Sequence, residues 1–361
     1  MQEKKIFALF VGARPNLPKL WTLTRGLNYL TDEISYLTIH TGQQSHPALT
    51  SDLISELGIL IDINLDVEWS EQDSQRVSNL TGTIGNILRK TSPEFVVVVG
   101  DVNTSAVAAF VASRMGISVI HLEAGLRSRV NTSEEINRKV ITACSQFHLA
   151  TTALARENLL REGLDEQNIF LVGNPMAETF LSFDGARNNS TILSRLGLTS
   201  KNYVLFAVHK RMNVTNVEWL TDLLILLGRE TRVVFPIHPH IDSIIAPYRG
   251  TFDSHKDIRL TGPLGYADFG ALLDNAFCVV TDSAGAQEES TVAGVRCVTV
   301  GHETARPETI FQGTNKMIGF DVRACLQTIR SNEPVGENKI EYWDQSVSSR
   351  IRGAIISIIN R

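Results

Sequence analysis

The residues best placed for chemistry lie between Phe95 and Arg138. Two β-branched runs, Val96–Val99 and Ile117–Leu122, are short enough to be fully buried parallel strands. Each ends near a carboxylate, Asp101 after the first and Glu123 after the second. A third acidic cluster, Glu134-Glu135, follows, with Asn137 and Arg138 close behind. Open parallel sheets bind ligands outside the carboxyl ends of their strands. Carboxylates placed there converge on one crevice, which is an arrangement for acid–base work on a sugar or phosphate substrate.

The elements that must position these groups alternate between strand and helix. A first strand, Lys5–Val11, breaks at Gly12-Ala13-Arg14-Pro15-Asn16 and leads into a helix near Leu17–Tyr29. Free backbone N–H groups at such a turn can hold phosphate. Arg14 adds a fork suited to its oxygens, and Lys19 a charge on the first helical turn. The same residues read equally well as a solvated surface loop, and the turn is not the GxGxxG of a dinucleotide site. Ile34–His40 is a strand running into Thr41-Gly42-Gln43-Gln44; Ala48–Leu57, closed by Gly58, and Gln75–Arg89 are helices. Beyond Arg138 a helix runs to about Cys144, then come strands Phe147–Thr151 and Asn168–Val172 around a helix Leu154–Glu162.

The alternation then starts again. Tyr203–Val208 runs into His209-Lys210-Arg211, Arg232–Ile237 into His238-Pro239-His240, Phe277–Thr281 into Asp282, and Arg296–Val300 into Gly301-His302-Glu303. This predicts an α/β chain of two Rossmann-like, doubly wound domains facing a cleft, dividing near Asn174–Asp184. The expected bounds are 1–175 and 176–340, followed by an amphipathic helix within 341–361 that carries Val347, Ile351, Ile355 and Ile358 on one face.

The second domain carries its own motif. Ser283, Ala284 and Gly285 form a small-residue turn into a helix, whose first amides suit a diphosphate. Glu288 and Glu289 suit ribose hydroxyls. An ordinary capped helix with an acidic start has the same appearance. The Gly-Ala-Arg-Pro turn of the first domain tips the balance towards function. His209, at a strand end, can serve a leaving phosphate or a proton transfer, whereas His121 lies within a strand run and reads as a core or wall residue. His238 and His240 lack a third ligand at suitable spacing, so no metal site is expected.

Composition narrows the class. The chain has 361 residues, 43% hydrophobic and 20% charged, enough for two cores. A net charge of −5 gives no support for nucleic acid as a partner. The apolar run before Gly12 is too short for a signal or membrane segment, so no membrane partner is expected. Cys144, Cys278, Cys297 and Cys325 are scattered without a CxxC pair, which fits a cytoplasmic protein.

Taken in order, the motifs resemble those of the UDP-N-acetylglucosamine 2-epimerase family. They are Gly12–Asn16 with Lys19, Thr41-Gly42-Gln43, Gly100–Asn103, His121–Arg127, Glu134–Arg138, Gly173-Asn174, His209, Gly262–Tyr266, Asp282–Glu289 and Arg306-Pro307-Glu308. The resemblance covers about residues 5 to 320. It implies a glycosyltransferase-B-like fold with a UDP-sugar in the cleft, the last helix returned to the first domain, a homodimer, and no cofactor. It assigns Asp101, Glu123 and Glu134 as catalytic acids and bases, with Lys19 and His209 beside them. Arg14, Arg138, Ser283, Ala284, Gly285, Gln287, Glu288 and Arg306 are implied in binding UDP-sugar, with the Tyr266–Phe269 segment at the uracil.

The implied reaction inverts C2 of a UDP-HexNAc by eliminating UDP to a 2-acetamidoglucal and adding it back. A hydrolysing epimerase, a glycosyltransferase on the same fold, and a weakened UDP-sugar-binding homologue remain as alternatives. Met212 stands where the family pattern has glutamate, Ser133 where it has proline, Ala284 where it has glycine, and Gln44 where many members have histidine; His46 does not restore the allosteric glutamine spacing. With Met212, the His209 loop is expected to be held by packing, leaving Lys210 or Arg211 for an anionic substrate group.

Overall fold

The computed structural model describes residues 3–42, 50–65, 67, 73–331, 336 and 339–361. Gln43, Gln44, His46 and the start of the expected Ala48–Leu57 helix lie outside the described residues. The chain forms two compact units, Met1–Thr179 with Glu341–Arg361, and Phe180–Ile340.

The first unit holds seven strands: β1 (Lys5–Val11), β2 (Ile34–His40), β3 (Ile63–Asn64), β4 (Phe95–Val99), β5 (Ser118–Ala124), β6 (Phe147–Ala150) and β7 (Ile169–Leu171). They pair in the order β3-β2-β1-β4-β5-β6-β7, and every pairing is parallel. The second unit holds β8 (Tyr203–Ala207), β9 (Arg232–Pro236), β10 (Ile258–Thr261), β11 (Cys278–Thr281), β12 (Arg296–Val300) and β13 (Asn315–Gly319). Their order, β10-β9-β8-β11-β12-β13, repeats the doubly wound plan, again all parallel. Strand order reverses between β1 and β4 in one sheet and between β8 and β11 in the other. Crevices outside the carboxyl ends of strands at such a reversal are where ligands bind in this architecture.

Both faces of each sheet are buried, which explains the near-continuous apolar runs. In the first unit Ala8, Phe10, Val96 and Val98 pack against Leu80, Ile84 and Leu88 of helix Asp73–Thr91 and against helix Asn103–Arg114. In the second, Phe206, Phe235 and Val280 meet Leu220, Leu223 and Leu227 of helix Val217–Glu230, while Leu205, Val234 and Val279 meet Leu272 of helix Tyr266–Asn275.

The last helix, Val347–Ile359, belongs to the first unit and lies against helix Asn16–Leu27. Glu178 joins them, accepting hydrogen bonds from the Ser348 amide (2.5 Å) and hydroxyl (2.6 Å) while facing Arg25 at 3.4 Å. The helices approach so closely at Gly26 that a Cβ there would lie 2.5 Å from the Ser348 carbonyl oxygen.

Gly26→Ala tests that contact. Alanine in a helix interior usually gains about 1 kcal/mol over glycine. Forcing a methyl into a backbone oxygen costs about 1–3 kcal/mol. The clash is expected to win, so the denaturation midpoint should fall; a rise would show the helices are free to separate.

Candidate functional site

In the first unit two of the three expected carboxylates stand at strand ends, Asp101 after β4 and Glu123 near the end of β5. The helix Asn16–Leu27 starts beside the end of β1, and its first turn carries Lys19, which is buried and ion-paired with Glu123. The Glu123 side chain is only 1% exposed. Its backbone is left-handed, φ 72°, where the β5–β6 register shifts between Leu122 and Ala124. Such a backbone is costly for a non-glycine residue and turns the carboxylate out of the regular strand alternation. Gly100 faces this pair with φ 66°, its Cβ position 3.2 Å from Glu123 Oε2 and 3.5 Å from Lys19 Nζ, so a side chain there would crowd the pair from a strained backbone.

Asp101 follows immediately. Arg138 holds its Oδ2 through Nε (2.9 Å) and one terminal nitrogen (2.5 Å), and the Asp101 side chain is 24% exposed. The Asn137 amide nitrogen donates to the Asp101 carbonyl (2.9 Å) and to Asn103 Oδ1 (3.0 Å). Arg138 also reaches Glu135 at 3.1 Å, and Glu135 accepts from the Ser128 amide at 2.9 Å.

The acidic pair on helix Ser133–Cys144 is therefore split. Thr132 caps the helix by accepting from the Glu135 amide, which fixes the first turn with Glu135 inward and buried. Glu134 is exposed and does not join the Asp101–Arg138 network. Glu135 and Asn137, noted in the sequence beside Glu134 and Arg138 but given no role there, are the site neighbours. The Thr-x-x-Glu capping pattern beginning at Thr132 was the signal for the first.

The Gly12–Asn16 turn corrects one expectation. Asn16 Oδ1 accepts from the amides of Gly12 (3.4 Å) and Ala13 (3.1 Å), while the amides of Asn16 and Leu17 reach the carbonyls of Ala13 and Arg14. Asn16 Nδ2 ties the turn to the Val99 carbonyl at 3.0 Å. The turn's own side chain fills the amide cradle, so these N–H groups are not offered to a phosphate. Arg14 remains half-buried at the turn.

The second unit is organised around Asp282, buried at the end of β11. Its carboxylate accepts from the amides of His209 (3.0 Å) and Lys210 (2.9 Å) and from Asn213 Nδ2 (2.8 Å). The His209 ring stacks on His238, centroids 5.6 Å apart. The expectation that packing by Met212 holds this loop is overturned: Met212 is 75% exposed, and Asp282 does the holding. Lys210 and Arg211 are exposed.

Helix Ala284–Val292 begins at Ser283, whose hydroxyl accepts from the Ala286 amide. The amides of Ala284 and Gly285 precede intrahelical bonding and lie at the half-exposed helix start. Glu288 is buried and ion-paired with buried Arg306. Gln287 narrows a second expectation. Its Oε1 accepts from Thr304 Oγ1 (2.6 Å) and Asn315 Nδ2 (3.2 Å), so that oxygen is committed within the second unit and only the amide nitrogen is left for the expected ligand role. Tyr266 is buried edge-on against Phe183 (5.8 Å), and Phe269 is half-buried against the core. Among the described residues no group of three or more His, Cys, Asp or Glu is placed to hold a metal ion. No described helix is long and apolar enough to cross a membrane.

The family model described as UDP-N-acetylglucosamine 2-epimerase matches residues 29–356. The chain belongs to the UDP-N-acetylglucosamine 2-epimerase family. The UDP-N-acetylglucosamine 2-epimerase of Methanocaldococcus jannaschii is 34% identical over 335 residues, 89% of this chain and 90% of that one. A Methanococcus maripaludis enzyme of the same name is 30% identical over 349 residues, 91% of this chain and 94% of that one. The solved M. jannaschii enzyme, in complex with UDP-GlcNAc and UDP, superposes with a TM-score of 0.84 at 29% identity, covering 98% and 99% of the two chains. A lipopolysaccharide outer core galactosyltransferase, at 13% identity and a TM-score of 0.55 over 98% and 99% of the two chains, shares the fold alone. Two Rossmann-like units of glycosyltransferase-B type and an isomerase-type enzyme are thereby established for this epimerase-family chain.

Two buried histidines paired across β5 and β6, His121 and His148, have a measurable consequence. Burial lowers His121 to about 3 and His148 to about 4. Both rings are thus neutral in the folded chain, while the unfolded rings take up protons near pH 6.5. Their stabilisation is complete above pH 6.5 and is lost as pH falls towards the folded values. For one ring the loss between pH 6.5 and 5.5 is about 1 kcal/mol. In urea melts His148→Gln should therefore lose about that much less than wild type across this window. The comparison separates the ring from Glu178 and Asp274, whose raised values act in the opposite sense. Equal losses in both proteins would contradict a neutral His148.

Proposed function

We propose that this chain is a non-hydrolysing 2-epimerase of UDP-HexNAc, converting a UDP-GlcNAc-type sugar into its UDP-ManNAc-type epimer. The observation that carries the reading is the pairing of Asp101 with Arg138 and of Glu123 with Lys19 at the ends of neighbouring strands. The named substrate of the M. jannaschii relative, UDP-GlcNAc, supplies the chemistry.

The C2 hydrogen of a hexosamine is not acidic, so a base alone cannot invert that carbon. Breaking the C1–O bond sends its electron pair to the diphosphate and leaves oxocarbenium character at C1, which acidifies C2–H. A carboxylate then takes the proton, the C1–C2 double bond forms, and 2-acetamidoglucal and UDP result. Protonation of C2 from the opposite face and return of the diphosphate oxygen to C1 complete the inversion.

Asp101, the partly exposed member of the pair, is assigned to proton transfer at C2, with Glu123 and exposed Glu134 as the further acidic groups. Arg138 and Lys19 orient their carboxylate partners. In the second unit, His209, Ser283 and the amides of Ala284 and Gly285 are assigned to the diphosphate. Glu288 with Arg306 is assigned to the ribose, and Tyr266 with Phe269 to the uracil.

Incubation with UDP-GlcNAc in D2O should give UDP-ManNAc carrying deuterium at C2. Release of free ManNAc would mark a hydrolysing enzyme, and absence of deuterium would end the elimination mechanism. Asp101→Asn or Glu123→Gln should cut turnover by about 10²–10⁴-fold, the usual loss of a general acid or base, with UDP affinity unchanged. Asp282→Ala removes the acceptor of three donors in the His209 loop. It should weaken UDP binding by about ten- to a hundredfold by calorimetry, since bonds to a charged acceptor contribute about 1.5–3 kcal/mol.

A further inference from the structure

We propose that His121 is a positioning residue for the reaction: its Nε2–H clamps the Gly100 carbonyl and thereby sets where Asp101 stands. The inference rests on the proposed role of Asp101. His121 lies on β5, two residues before Glu123, and is fully buried. Its Nε2 is 3.0 Å from the Gly100 carbonyl oxygen. A carbonyl can only accept, so Nε2 carries the proton and the neutral ring leaves Nδ1 bare. No hydrogen-bond partner for that Nδ1 occurs among the described residues, in keeping with this tautomer.

The geometry at Gly100 gives the bond its importance. The Gly100 amide donates to the Leu122 carbonyl at 3.0 Å, so the residue is tied to β5 through both its N–H and its C=O. A Cβ on the left-handed Gly100 would lie 3.2 Å from Glu123 Oε2 and 3.5 Å from Lys19 Nζ, and the next residue is Asp101. One imidazole therefore fixes the direction of the peptide that leads into Asp101, while Arg138 and Asn137 hold Asp101 from the far side. His148 on β6 lies beside His121 in register, and together with Arg127 it disfavours a second proton on the ring, whereas Asp101 favours one. Burial outweighs that single favourable charge, so the clamp keeps its tautomer at working pH.

The test compares His121→Leu, His121→Gln and Asp101→Asn with wild type for kcat, KM, UDP affinity and thermal midpoint. A glutamine amide nitrogen can donate from near the position of Nε2, whereas leucine cannot. His121→Leu is expected to lower kcat about 10²-fold, the usual effect of misplacing a reacting group by about 1 Å, with KM and UDP affinity unchanged. His121→Gln should recover most of that loss. Histidine 15N shifts of the wild-type protein should show a neutral, Nε2-protonated ring throughout pH 5.5–8, a readout that does not depend on either variant folding. The clamp is overturned if His121→Leu turns over at the wild-type rate while Asp101→Asn is slow. It is equally overturned by glutamine failing to recover a folded enzyme's rate, or by an Nδ1-protonated ring. Wild-type turnover in Asp101→Asn would overturn the reading of Asp101 itself, and the clamp with it.

Discussion

The first unit is built around an ion pair kept away from water. Lys19 and Glu123 are both buried, and taking two charges out of water costs several kcal/mol per ion before their attraction offsets it. Close geometry is the condition for that offset, and the local backbone departs from regular structure to supply it. Glu123 is left-handed, β5 is irregular at that point, and Gly100 leaves room for the two side chains by having none of its own. A hydrophobic pair would hold helix Asn16–Leu27 to β5 at lower cost. What the ion pair adds is a charged group of defined direction at the reversal of strand order, where a ligand is expected.

The second unit applies the same topology to the opposite purpose. Asp101 and Asp282 each follow the strand beside the reversal, β4 and β11. Asp101 is partly exposed and held by a guanidinium, which leaves carboxylate surface for a reacting partner. Asp282 is buried and accepts from two amides and a carboxamide, so its lone pairs are committed to shaping a loop. Burial and donor type, rather than residue type, separate the chemical group from the structural one.

The same distinction marks what could be read from the sequence. Strands such as Lys5–Val11 and Arg296–Val300 were legible to the residue, because burial on both faces demands largely apolar runs. Strands β3, β10 and β13 were not, because Asn64, Arg259 and Lys316 interrupt short, partly exposed segments away from the sheet centres. The site's carboxylates were visible as strand-end residues. Which cation each would meet was not: Glu134 and Glu135 are adjacent in sequence, and only the capped first turn decides which one faces Arg138. The satisfied amides of Gly12 and Ala13 depended on one side-chain direction, that of Asn16, which no spacing rule supplies.

That pairing also bears on how charge is shared during the proposed reaction. Three cations expected near substrate already meet carboxylates: Lys19 meets Glu123, Arg138 meets Asp101 and Glu135, and Arg306 meets Glu288. A diphosphate drawing on any of them would have to separate a close pair, with the carboxylate left behind to be solvated or repelled. Helix amides impose no such exchange, since those of Ala284 and Gly285 lie at a helix start where partial positive charge has no covalent counter-ion. On the proposed function, then, the paired cations set the direction of the acid–base groups. The charge developing on departing UDP falls mainly to the Ser283 helix start and the His209 loop that Asp282 holds in place.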